Sequence, residues 1–186
     1  MRRKIITLHL LLAAFMAPAF IMVAVSGGLY LLGIQGSETE THITVPHKGT
    51  PGVDIVIDEN RNPADLESEV RALLDQLDLD IDFEYLRVRG TTLVTRPTSR
   101  QHILIRYTED GLEVVKRSPD LQSSMMELHK GHGPALFKTY QKWVAVGLIF
   151  VMLSGLWMGL SNKALRLRTF ASLGIGLVTF VVLVLF

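Results

Sequence analysis

Cysteine is absent from the 186 residues, which excludes disulfides, thiolate metal clusters and cysteine nucleophiles. Acidic residues are absent from both ends: all 18 Asp and Glu lie between Glu38 and Glu127. The flanks carry only basic charge, at Arg2, Arg3, Lys4, Lys138, Lys142, Lys163, Arg166 and Arg168. Charge of either sign is missing from three stretches, residues 5–34, 143–162 and 169–186. There is no phosphate-binding glycine loop, nucleophile elbow or metalloprotease motif. The carboxylates of residues 65–84 alternate with an apolar helical pattern and read as that helix's wet side, so no hydrolase signature remains.

The charge-free stretches set the organisation. At 1.5 Å per residue each reaches about 27 Å or more, comparable with the hydrocarbon core of a bilayer, so each is read as a transmembrane helix. The basic N-terminus before an apolar run also fits a secretory signal, but a signal's apolar core is only about 7–15 residues, and residues 5–34 are read as a retained span. The positive-inside rule puts both Arg2-Arg3-Lys4 and the loop basic residues Lys163, Arg166 and Arg168 in the cytoplasm. Three spans then place residues 35–137 and the C-terminus outside. Pro18 removes a backbone hydrogen bond within the first span and is expected to kink it. Ser26-Gly27-Gly28, Ser154-Gly155, Gly174 and Gly176 are small enough to let the spans approach closely.

Between the spans lies an acidic domain. Residues 35–137 carry 11 Lys and Arg against 18 Asp and Glu, a balance of −7 that excludes nucleic acid as a partner. Residues 43–45 and 53–57 are β-branched runs separated by Pro46, Gly49 and Pro51-Gly52, and are expected strands. Asn62-Pro63 supplies an N-cap and a first-turn proline, and Leu66, Val70, Leu73, Leu74 and Leu77 repeat at helical spacing, predicting a helix over 63–77. Alternation over 83–89, 92–95, 103–107 and 112–115, with turns at Gly90 and Glu109-Asp110-Gly111, predicts an antiparallel meander. One helix on one sheet face makes a small α+β domain, with Leu66, Val70, Leu73 and Leu77 against Leu86, Val88, Ile103 and Ile105. The chain thus reads as a basic N-terminus and first span (1–34), an outer domain (35–120), an amphipathic juxtamembrane segment (121–142) and a helical hairpin (143–186).

With these pieces placed, the chain resembles the PepSY-associated transmembrane family. The likeness is carried by Leu8-His9-Leu10, Val25-Ser26-Gly27-Gly28-Leu29-Tyr30, Leu128-His129-Lys130-Gly131 and Leu153-Ser154-Gly155-Leu156-Trp157, together with the helix-plus-meander domain. The resemblance implies a PepSY-like periplasmic domain, a fold thought to bind peptides or regulate partners, on a bacterial inner-membrane protein. Larger members have four or more spans, and some resemble ferric-siderophore reductases holding b-type haem between membrane histidines. The implied role for this three-span chain is an accessory component of siderophore-iron reduction or uptake, with haem b at His9. The alternative is a non-catalytic module whose outer domain docks a peptide or partner protein on a sheet edge.

His9 is the sole residue among Asp, Glu, Lys, Arg and His within the three spans, and such ionisable residues are costly in hydrocarbon. It has two readings: a haem or metal ligand, or a side chain reaching the headgroups, since it lies about 7.5 Å along the helix from Lys4. Ligation requires an acceptor for the other ring nitrogen, expected at Ser161 or Asn162 of the hairpin's inner end. The opposite axial ligand must come from a second copy or another membrane subunit, with Met152 and Met158 as weaker thioether candidates. His129 lies on the outer side by this topology, so one iron cannot bind both. Met125 and Met126 stand four and three residues before His129, close to His132, which suits either a soft metal site of His129, His132 and Met125 or an amphipathic segment lying on the bilayer and ended by Gly131 and Gly133-Pro134. His42, His47 and His102 show no ligand spacing.

Overall fold

Three helices in the computed structural model are long and apolar enough to cross a membrane, which associates the protein with one. The structure describes residues 2–46, 55, 57, 63–108 and 111–186. α1 (Arg2–Leu31) runs unbroken through Pro18. α4 (Ala135–Ser161) begins eight residues before the charge-free stretch, taking Lys138 and Lys142 into its first turns. α5 (Arg166–Leu185) buries none of its residues and takes in Arg166 and Arg168, so the basic loop shortens to residues 162–165. The chain divides into two compact units, residues 1–20 with 142–186, and residues 21–141.

In the first unit the helices meet at small residues. Met16 is buried and lies over Gly147, whose missing side chain leaves it room. Gly155 faces His9, and Gly159 faces Thr169. Gly174 and Gly176 have open space where a side chain would be, so the close approach expected of them does not occur among the described residues.

The second unit is built on a five-stranded antiparallel sheet in the order β1-β5-β4-β3-β2. The strands are β1 (Glu38–Pro46), β2 (Tyr85–Arg89), β3 (Thr92–Arg96), β4 (His102–Thr108) and β5 (Gly111–Pro119). Gly90, at φ +58°, opens the two-residue turn between β2 and β3, where a left-handed residue matches the strands' twist. β3–β4 pairing ends at Val94↔Leu104, and beyond it the buried Thr95 hydroxyl accepts from the Ile103 amide at 2.8 Å and so satisfies a donor the ladder leaves over.

α2 (Pro63–Gln76) covers one sheet face, with Asp65 in its first turn where the helix dipole favours a carboxylate. Its end is a Schellman turn built without glycine: Asp78 takes φ 54°, Leu79 N donates to Leu74 O at 2.9 Å and Asp78 N to Asp75 O at 3.2 Å. Aspartate is among the few side chains that tolerate this conformation. Leu66, Val70, Leu73 and Leu74 then meet Leu86, Leu93, Ile103, Ile105, Leu112 and Val114 in one buried cluster, with Leu77 and Val88 packed at its margin. The expected helix face and facing strands are therefore as the periodicity predicts. Ile55 and Ile57 are buried in the same core without strand structure; the rest of 53–57, the Asn62 cap, His47 and the Glu109-Asp110 turn lie outside the described residues.

α3 (Leu121–His129) follows β5, capped by Asp120, whose carboxylate accepts from Ser123 N at 2.8 Å. Gly131, at φ +78°, lies just past its end. Its Gln122 and Met126 are buried against protein.

Candidate functional site

His9 lies on α1, and its Nδ1 is 2.8 Å from the Ser154 hydroxyl of α4. The Ser154 hydroxyl also donates to the carbonyl of Val151, three residues back, at 3.1 Å. The imidazole rests over the following glycine, where a methyl group on Gly155 would come 3.4 Å from Cε1. Beside this pair, Ile5, Phe150, Leu153, Ser154 and Trp157 line an open apolar hollow of about 410 Å³. The ring thus points into a helix–helix contact. The hydrogen-bond partner of Nδ1 is the Ser154 hydroxyl, in place of the expected Ser161 or Asn162. Ser161 stands seven residues, two helical turns, farther along the same face, and the Asn162 side chain is committed to the Ala164 amide at 3.0 Å.

The same arrangement occurs in the second unit. His129 Nδ1 is 3.2 Å from the Ser26 hydroxyl, which donates to the Val23 carbonyl, again three residues back, at 3.2 Å. A methyl on Gly27 would meet His129 Cε1 at 3.5 Å. Ser26 is fully buried, and the Gln122 side-chain amide donates to its carbonyl at 3.2 Å and to that of Ile34 at 3.1 Å.

His132 turns elsewhere. Its Nδ1 lies 2.8 Å from Glu127 Oε2, an oxygen that also accepts from the Thr98 hydroxyl, while Lys130 Nζ reaches Oε1 at 3.2 Å. Arg96 donates to Thr98 at 2.8 Å and stands 3.9 Å from the same carboxylate. His129 and His132 therefore each have Nδ1 engaged by a different neighbour, and Met125 appears in no polar contact with either. Among the described residues no group of three or more His, Cys, Asp or Glu side chains is placed to hold a metal ion. His42 bridges Glu113 and Glu40, and His102 is buried with Nδ1 3.0 Å from the Arg100 carbonyl.

No family model, curated protein or solved structure matches this chain.

The Glu127 cluster was not legible as a site, because Arg96 at the end of β3 and Thr98 just beyond it lie some 30 residues earlier. Burial works to raise the Glu127 pKa and is outweighed by the hydrogen bonds from Thr98, His132 and Lys130, which hold it at about 2. A carboxylate depressed in this way stabilises the fold above its unfolded pKa near 4.5, and that stabilisation is lost as pH falls through about 2. Wild-type protein should therefore lose on the order of 2 kcal/mol more stability between pH 5 and pH 2 than Glu127→Gln. Parallel acid-unfolding curves for the two proteins would show that the cluster holds no such energy.

Proposed function

We propose that the chain is a small PepSY-associated membrane protein serving siderophore-iron reduction or uptake, with b-type haem at His9 and a second copy or another membrane subunit completing its coordination. In this reading the N-terminus is cytoplasmic and residues 35–137 form a periplasmic, PepSY-like domain on the bacterial inner membrane. The observation that carries it is the His9–Ser154 bond: the one histidine of the charge-free stretches is held through Nδ1 inside a helix contact, in the geometry of an imidazole whose other nitrogen serves as a ligand. The basic clusters on either side of the charge-free stretches support the orientation.

Haem, when bound, would supply one-electron chemistry; His9 would ligate it and Ser154 would orient the ring. Detergent-solubilised protein from haem-replete cells should show a b-type visible spectrum, and His9→Ala should remove it while leaving membrane insertion intact, since the change only makes the helix more apolar. A reporter fused after Thr95 in the same cells should be exported. A colourless wild-type preparation would defeat the haem reading, and a cytoplasmic Thr95 fusion would defeat the orientation.

A second reading draws on a different observation. Among the described residues the sheet ends in two edge strands, β1 and β2, and β2 leaves Tyr85, Arg87 and Arg89 exposed. Such an edge supports a binding module that pairs with an extended peptide.

A further inference from the structure

A serine hydroxyl has one proton and two lone pairs, so it donates once. Ser154 and Ser26 each stand within hydrogen-bond distance of two groups, a backbone carbonyl and a histidine Nδ1. The carbonyls of Val151 and Val23 can only accept, and the two serine hydroxyls donate to them at 3.1 and 3.2 Å. With its proton there, each serine oxygen has only lone pairs to offer the ring, and the matching donor is Nδ1–H.

We propose that Ser154 and Ser26 are positioning residues that fix the tautomer of His9 and His129, holding the proton on Nδ1 and leaving Nε2 of each neutral ring as an unprotonated lone pair. The two pairs use different helices yet repeat the same parts: a serine bonded three residues back, an imidazole on its oxygen, and a glycine beneath Cε1. A methyl at Gly155 or Gly27 would meet Cε1 at 3.4 or 3.5 Å, ordinary van der Waals contact, so each ring packs directly on the helix beside its serine. What such a nitrogen can engage is an electron-pair acceptor, a metal centre or a hydrogen-bond donor. The tautomer follows from the serine-to-carbonyl bonds; only the identification of haem as what Nε2 of His9 meets rests on the functional reading above.

The test is nitrogen NMR on detergent-solubilised, haem-free protein carrying 15N-histidine, at alkaline pH where ordinary imidazoles are neutral. The His9 signals are assigned by their loss in His9→Gln, and those of His129 likewise. Wild-type protein should show an unprotonated Nε2 at both residues. Ser154→Ala should release His9 into a mixture of tautomers and leave His129 as it was, so the unaffected histidine reports that the fold survives. Ser154→Thr, which keeps the hydroxyl and its bond to the backbone, should restore the single tautomer; Ser26→Ala should affect only His129. A protonated Nε2 in the wild type, or an unchanged His9 pattern in Ser154→Ala, would overturn the assignment. A clean tautomer response in a protein that never takes up haem would leave the assignment standing and remove the haem reading alone.

Discussion

Replacing Leu73 by alanine is expected to lower the unfolding free energy of the sheet domain by about 2–5 kcal/mol. Leu73 sits in the last turn of α2 at 1% exposure, with Leu66 and Val70 on the turns before it and the β3–β5 side chains beneath. Truncation removes three buried carbons and leaves a cavity that a sheet held by continuous ladders is poorly able to close. Pulse proteolysis in urea on the intact solubilised chain reads this directly, because the midpoint of domain cleavage should move to lower urea. A shift equivalent to less than about 1 kcal/mol would mean that α2 covers the sheet without sealing it.

Gly36→Ala should have an effect of similar size for a different reason. Gly36 holds φ +81°, a conformation costing an ordinary side chain about 1–3 kcal/mol. A methyl there would also collide with the backbone nitrogen of Ser123 and lie 2.7 Å from Asp120 Oδ1. Those atoms belong to the cap of α3, and a lost cap adds about 1 kcal/mol, so the total is on the order of 3 kcal/mol. Because both changes break one joint, Gly36→Ala combined with Asp120→Ala should cost clearly less than the two separately. Strict additivity in that cycle would show that the glycine and the cap act independently.

The parts of the fold legible in the sequence are those written in local periodicity. The helical repeat of Leu66, Val70 and Leu73 gave α2 and the face it buries, and alternation gave β2 through β4; β5 was legible over 112–115 and runs on to Pro119. β1 was legible only over 43–45, because Glu38 and Glu40 look like loop residues until Arg117 of β5 is placed beside them, at 3.6 Å and 2.8 Å. That partner is some 80 residues away, and no local pattern announces it. The early start of α4 was hidden in the same way: Lys138 reads as an interfacial charge, yet it lies over the Tyr85 ring, 4.4 Å from its centre. At the candidate site, His9 was conspicuous as an ionisable residue among apolar ones. Its partner was expected on the correct face of α4 but two turns too far along, since the axial offset of two helices depends on contacts such as Met16 against Gly147 that composition does not encode. Ser26 and Ser154 were visible only as small residues; their hydroxyls gain a role once a histidine is set against them.

The joint around Asp120 has a mechanical side. Asp120 and Ser37 exchange backbone and side-chain hydrogen bonds, so the strand leaving α1 and the strand entering α3 are fastened at one point. Two residues on, Gln122 grips the carbonyl of Ser26, the residue whose hydroxyl holds His129. A force that peels β1 from β5 therefore loads the His129 ring through three successive hydrogen-bonded links.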